Sequence, residues 1–249
     1  DELLYSNVKG KNPFKDKRVR QAFFQAIDIE TIKARVMRNA ATPTGLMIAP
    51  GIKGLLAIPK DATGKLPAVL VIHENRGLNP HIKDVTRRMA AEGFVTLGAD
   101  YLLPMGGTPE DADKARDMIG QIKPEDAVAY SVKALAAVKA HAASNGKAGA
   151  VGFCWGGAAV NALAVADPGL GAGVAYYGRQ APAADVPKIT APLMLHYAGL
   201  DERINAGIAE FEQALKAAGK TYELHMYEGA NHAFNNDTGP RWNEEQALA

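Results

Sequence analysis

Ala148-Gly149-Ala150-Val151-Gly152-Phe153-Cys154-Trp155-Gly156-Gly157 is an apolar run that ends in a glycine-flanked cysteine and leads into a second apolar stretch, Ala158 to Ala166. The run reads as a buried strand over 148–153 and the following stretch as a helix over 156–166, with Cys154 on the tight turn between them. Glycines two residues to either side of the cysteine suit such a turn, because a Cβ there would clash. A helix that points its N-terminus at the sulfur favours the thiolate. The pattern is that of a nucleophile held on a strand-to-helix turn. A buried free cysteine beside a glycine-rich turn is the plainer alternative, since free cysteine is often simply core.

The same rhythm continues on both sides. Upstream, Ala68-Val69-Leu70-Val71-Ile72 behind Pro67 reads as a fully buried parallel strand. A helix over 84–92 ended by Gly93, a strand over 94–97, a loop rich in Pro and Gly, and a helix over 125–142 follow. Downstream, strands are expected at 172–176, 193–197 and 222–227, with a helix over 208–218 closed by Gly219 between the last two. Strands and helices alternating at this spacing predict an α/β fold, a doubly wound and mostly parallel sheet with helices on both faces. Ligands in such sheets bind beyond the carboxyl ends of the strands.

Those ends carry the other candidate groups. A nucleophile needs a base, and the base an orienting acid. Asp201 lies just beyond the strand 193–197, and His232 beyond the strand 222–227. The order Cys154, Asp201, His232, with separations of 47 and 31 residues, is the nucleophile–acid–histidine order of an α/β-hydrolase fold. Taken singly, Asp201 could be a helix cap and His232 a surface loop residue. The end of the strand 68–72 runs His73-Glu74-Asn75-Arg76-Gly77. This loop is placed to supply one backbone oxyanion donor, with Trp155 supplying the other. Glu74 is an acid at the mouth of the site, or else a surface ion pair with Arg76. His196 and His225 read as structural, His81 and His141 as surface positions. No histidine pair has metal-ligand spacing, so neither a metal nor a cofactor is expected. Gly169-Leu170-Gly171-Ala172-Gly173 precedes a strand instead of following one and is not a nucleotide loop.

Composition narrows the classes further. The 249 residues are 47% hydrophobic and 22% charged, which excludes disorder. A net charge of +1 gives no reason to expect nucleic acid, and no apolar run is long enough to cross a membrane. One cysteine excludes an internal disulfide framework. Charge is uneven, however. Residues 1–52 hold nine basic and five acidic residues, +4, and the remainder −3, which marks a seam near residue 52.

From about Lys53 onward the chain resembles the dienelactone hydrolase (carboxymethylenebutenolidase) family of α/β-hydrolases. The carrying motifs are HENRG (73–77), GFCWGG (152–157), YYG (176–178), the GLD ending in Asp201 and the GANHAF containing His232. The resemblance implies a triad of Cys154, Asp201 and His232, with Glu74 as the active-site glutamate that holds the resting thiol and helps to deprotonate it. It also implies an oxyanion hole of the Asn75 and Trp155 N–H groups. Family arginines that bind a substrate carboxylate map onto Asn236 and onto the neighbourhood of Lys114 and Arg116, with Arg179 a substitute and Tyr177 beside it. The implied activity is hydrolysis of an activated ester or enol lactone through a covalent thioester. The alternatives are a general carboxylesterase or thioesterase with the same triad, or a catalytically impaired fusion.

Residues 1–52 fall outside that resemblance. Val19, Phe23, Ala26 and Ile27 recur at helical spacing, and Asp28 is placed to cap a second short helix through Val36. Residues 12–28 resemble an internal piece of the periplasmic peptide-binding proteins of ABC transporters, which implies origin rather than peptide binding. The expectation is a helical N-terminal extension of foreign origin. Its helices would cover surface left by a missing first strand and a short C-terminus, or that surface would support a homodimer. The absence of an export signal tips the expected location toward the cytoplasm.

Overall fold

A computed structural model describes residues 52–60 and 62–247. The expectations for the N-terminal helices and for the fragment over 12–28 lie outside the described residues. Among the described residues seven strands form one sheet: β1 (Gly54–Ala57), β2 (Leu66–Ile72), β3 (Val95–Ala99), β4 (Ser144–Phe153), β5 (Gly173–Tyr176), β6 (Leu193–Ala198) and β7 (Tyr222–Tyr227). Their spatial order is β1-β3-β2-β4-β5-β6-β7. Only the pairing of β1 with β3 is antiparallel.

The sheet is doubly wound, as the alternation of strand and helix requires. Along β2 the side chains alternate between two apolar clusters. Leu70 and Ile72 join α3 (Pro124–Lys139) and α4 (Trp155–Ala166) on one face, and Val71 joins α1 (Pro80–Ala91) on the other. Leu70, Val71 and Ile72 are all fully buried, so the five-residue apolar run is a strand covered on both sides. Ile52 is buried in the same core, which extends it one residue ahead of the charge seam.

Element boundaries depart from the sequence reading where capping or pairing overrides periodicity. The first helix begins at Pro80, four residues early, because the Asn79 side chain accepts from the Ile82 N–H and Pro80 fits the first turn. The loop after β3 contains a further helix, α2 (Ala112–Ile119), capped by Asp111. α3 stops at Lys139, and β4 starts at Ser144, earlier than its apolar run, by pairing with Leu66.

His81 is buried, not at the surface: it lies in the first turn of α1, with Nδ1 3.2 Å from Asp237 Oδ1. His141 is half-buried and accepts from the Ala143 N–H. His196 is structural, bonded through Nδ1 to the Tyr227 hydroxyl and stacked between Tyr176 and His225.

Candidate active site

Cys154 joins β4 to α4 with φ 56° and ψ −112°, a conformation that costs a non-glycine residue free energy. Close packing forces this turn. A Cβ on Gly152 would run into the Gly156 carbonyl, one on Gly156 into the Ile72 carbonyl, and one on Gly157 into the Tyr176 carbonyl. The positive-φ non-glycine residues among the described residues are Cys154, Tyr177 and Ala233. Cys154 and Tyr177 line one cavity and Ala233 directly follows His232, which lines it too; clustered strain of that kind marks function more than packing.

The thiol differs from the sequence expectation. Burial, reinforced by the Glu74 carboxylate, pushes its pKa up to about 11. The N–H groups of Trp155 and Asn75 and the Arg203 guanidinium act in the opposite direction without overcoming this. The helix N-terminus therefore does favour the thiolate, but desolvation outweighs it and the resting group is a thiol.

Asp201 occupies the cap position of α5 (Glu202–Asn205), yet its side chain makes no capping bond. It instead accepts from His232 Nδ1 at 2.5 Å. Both side chains are shielded, 7% exposed for Asp201 and 17% for His232. That bond fixes the tautomer, leaving His232 Nε2 as the ring nitrogen free to act as a base. His232 and Cys154 line one cavity of about 730 Å³. The strand order thus gathers three groups separated by 47 and 31 residues in the chain.

Glu74 is buried and does not pair with Arg76, which is exposed. Its carboxylate accepts from the Asn236 amide at 2.8 Å and from the Tyr177 hydroxyl at 3.5 Å. Asn236 is thereby committed to Glu74 and is absent from the cavity wall, whereas Tyr177 lines the cavity and touches Glu74 as well. Arg179 lines the cavity, and so does Arg203; neither forms an ion pair with a carboxylate among the described residues. Lys114 and Arg116 lie on α2, away from the cavity, where Arg116 pairs with Asp113 and Asp117 in solvent.

Two contributors escape a reading of the sequence alone. Arg203 is one; its place in α5, two residues after Asp201, is the only signal. The other is His73. Its Nε2 accepts from the Tyr101 N–H at 3.2 Å, so Nδ1 carries the proton and donates to the Glu74 carbonyl at 2.7 Å. Burial pushes the ring's pKa down to about 4, keeping it neutral. No peptide here is cis, so anchoring the Glu74 carbonyl aims the Asn75 N–H in the opposite direction, toward Cys154. Trp155 stacks on the His73 ring at 5.5 Å and ties the two donor segments together.

The model of the Dienelactone hydrolase family matches residues 52–249. The chain belongs to the dienelactone hydrolase family. It is 34% identical over 207 residues to a protein assigned as a carboxymethylenebutenolidase in Methylorubrum extorquens, covering 77% of this chain and 70% of that one. A protein of the same assignment from Saccharolobus solfataricus is 31% identical over 234 residues, covering 79% and 89%. A crystal structure assigned as a dienelactone hydrolase from Klebsiella pneumoniae superposes with a TM-score of 0.72 at 28% identity, over 79% of this chain and 88% of that one. The family places the chain among the hydrolases of esters and lactones, on an α/β-hydrolase fold.

Proposed function

We propose that this dienelactone hydrolase family member cleaves an activated ester or enol lactone by thiolate attack from Cys154. The observation that carries the reading is the strained cysteine sharing a cavity with a histidine whose other nitrogen is bonded to a buried aspartate. His232 Nε2 accepts the thiol proton, and the sulfur forms a bond to the acyl carbon. The tetrahedral oxyanion is held by the N–H groups of Asn75 and Trp155. It collapses with cleavage of the C–O bond, and His232 returns its proton to the leaving oxygen. Water, deprotonated by the same histidine, then cleaves the thioester and restores the thiol.

A thiolate leaves more readily than an alkoxide, so ordinary alkyl esters would mostly revert, and enol lactones or aryl esters are favoured. Burial, aided by the Glu74 carboxylate that Asn236 and Tyr177 hold, keeps the resting sulfur protonated. Arg179 and Arg203 make one wall cationic, suited to a substrate carboxylate; Arg179 thus serves in place of an arginine at position 236.

Hydrolysis of dienelactone and of p-nitrophenyl acetate, measured for the intact chain and for Cys154→Ala, tests this. Lactone turnover that disappears in the variant supports the proposal. Turnover of the acetate alone points to a general esterase, and activity that persists in Cys154→Ala refutes the cysteine mechanism.

A further inference from the structure

α4 carries no charged side chain along its whole length, Trp155-Gly156-Gly157-Ala158-Ala159-Val160-Asn161-Ala162-Leu163-Ala164-Val165-Ala166. A helix apolar on every side belongs in an interior. Yet Ala158, Ala162 and Val165 are only partly buried and Ala166 is exposed. These four recur at i, i+4, i+7 and i+8, one stripe down the helix, and all four line the cavity that holds Cys154. Alanines keep the stripe low, so it forms the floor of a trough. Ala127 and Val128 of α3 wall it on one side.

The cavity is chemically divided. Its charged lining groups, Arg179, Arg203 and Asp185, come from the loops after β5 and β6, the latter being the loop of Asp201, which carries His232. Asp185 is already neutralised by Lys188 at 2.7 Å. The lining that α3 and α4 contribute is uncharged. Because His232 must reach the leaving oxygen, the leaving group lies toward the arginine wall and the acyl group points the other way, toward α4.

From these placements we infer that the acyl group of the substrate is an unbranched or aryl-alkyl apolar chain lying along the α4 trough. This names the substrate class of the proposed reaction and rests on Cys154 being its nucleophile. The stripe from Ala158 to Val165 spans roughly 10 Å at about 1.5 Å per residue, the length of about eight extended bonds. A short acyl group such as acetyl leaves the floor bare, whereas an octanoyl group covers it.

The test is a series of p-nitrophenyl esters from acetate to decanoate. With the trough open on one side, kcat/KM should rise about twofold to fourfold per methylene up to octanoate and then level off. Ala162→Phe, which raises the floor midway, should cut the octanoate-to-acetate ratio of kcat/KM at least about tenfold. A flat or falling profile for the intact chain overturns the inference, and this arm needs no variant to fold. If acetate is hydrolysed in a Cys154-dependent way while the profile is flat, only the trough is refuted. If no ester is turned over, the nucleophile reading fails, and titration calorimetry on Cys154→Ala decides the trough. Octanoate binding with no detectable acetate binding supports it, and equal binding of the two removes it.

Discussion

Replacing His73 by asparagine and by glutamine separates its two hydrogen bonds. An asparagine amide ends where the imidazole Nδ1 sits and can still donate to the Glu74 carbonyl, while leaving the Tyr101 N–H unpaired. A glutamine amide reaches the Nε2 position, where its oxygen accepts from Tyr101, but the Glu74 carbonyl loses its donor. Each variant orphans one buried backbone group, so each should lose about 1–3 kcal/mol of stability. Activity should divide them. The freed Glu74–Asn75 peptide in His73→Gln no longer aims its N–H at the reacting centre. Loss of one oxyanion donor costs about 10²–10³ in kcat, so His73→Gln should fall by about 10²-fold and His73→Asn by less than about tenfold. KM should change little in either. Steady-state hydrolysis of p-nitrophenyl acetate reads the division. Alkylation by iodoacetamide, which develops no oxyanion, should proceed at similar rates in both variants. Equal losses of kcat, or alkylation that slows in step with hydrolysis, would show that His73 supports the fold and does not position the donor.

Four further outcomes follow from the geometry. Asp201→Asn frees the other tautomer of His232 and should lower kcat by about 10⁴-fold while the circular dichroism melt is preserved. Glu74→Gln removes a charge that raises the thiol, so Cys154 should titrate below about 11, and iodoacetamide should label it faster at pH 8; an unchanged labelling rate would exclude the carboxylate as a cause. Gly156→Ala, which drives a Cβ into the Ile72 carbonyl, should destabilise the domain by at least about 3 kcal/mol in urea unfolding. Burial opposes the charge on Asp237, but Arg88 and His81 outweigh it and hold the carboxyl below its usual value. A depressed folded-state pKa contributes stability above the usual carboxylate range and loses it as pH falls through the depressed value. Arg88→Met should therefore flatten the acid limb of a stability–pH curve.

How much of the fold and the site is legible in the sequence varies with the range of the interactions involved. β2 could be read because five consecutive apolar residues have few alternatives to a doubly covered strand. The turn at Cys154 could be read because local sterics exclude side chains at the flanking glycines. Asp201 could not be separated from a helix cap in the sequence, since both roles place an aspartate before a short helix. The choice is made by His232, 31 residues away. His81 reads as a surface residue because its partner, Asp237, arrives from the far end of the chain. Asn236 reads as a missing arginine in a motif comparison, while in three dimensions its amide supports Glu74. The pKa of Cys154 runs against the expectation from its sequence neighbourhood. A helix N-terminus is visible in a sequence, whereas the degree of desolvation is a property of the packed whole.

The protonated resting state of Cys154 has a consequence for how the molecule survives outside catalysis. Peroxide, like other electrophiles, attacks thiolates, and a sulfur with a pKa of about 11 exposes very little thiolate near neutrality. The chain has no second cysteine that could capture a sulfenic acid as an internal disulfide. A Cys154 oxidised to the sulfenic acid would therefore have no internal disulfide route back to the thiol. The same burial that makes this thiol slow to ionise is its protection, so prolonged aerobic storage without added reductant should leave the Cys154 sulfur intact.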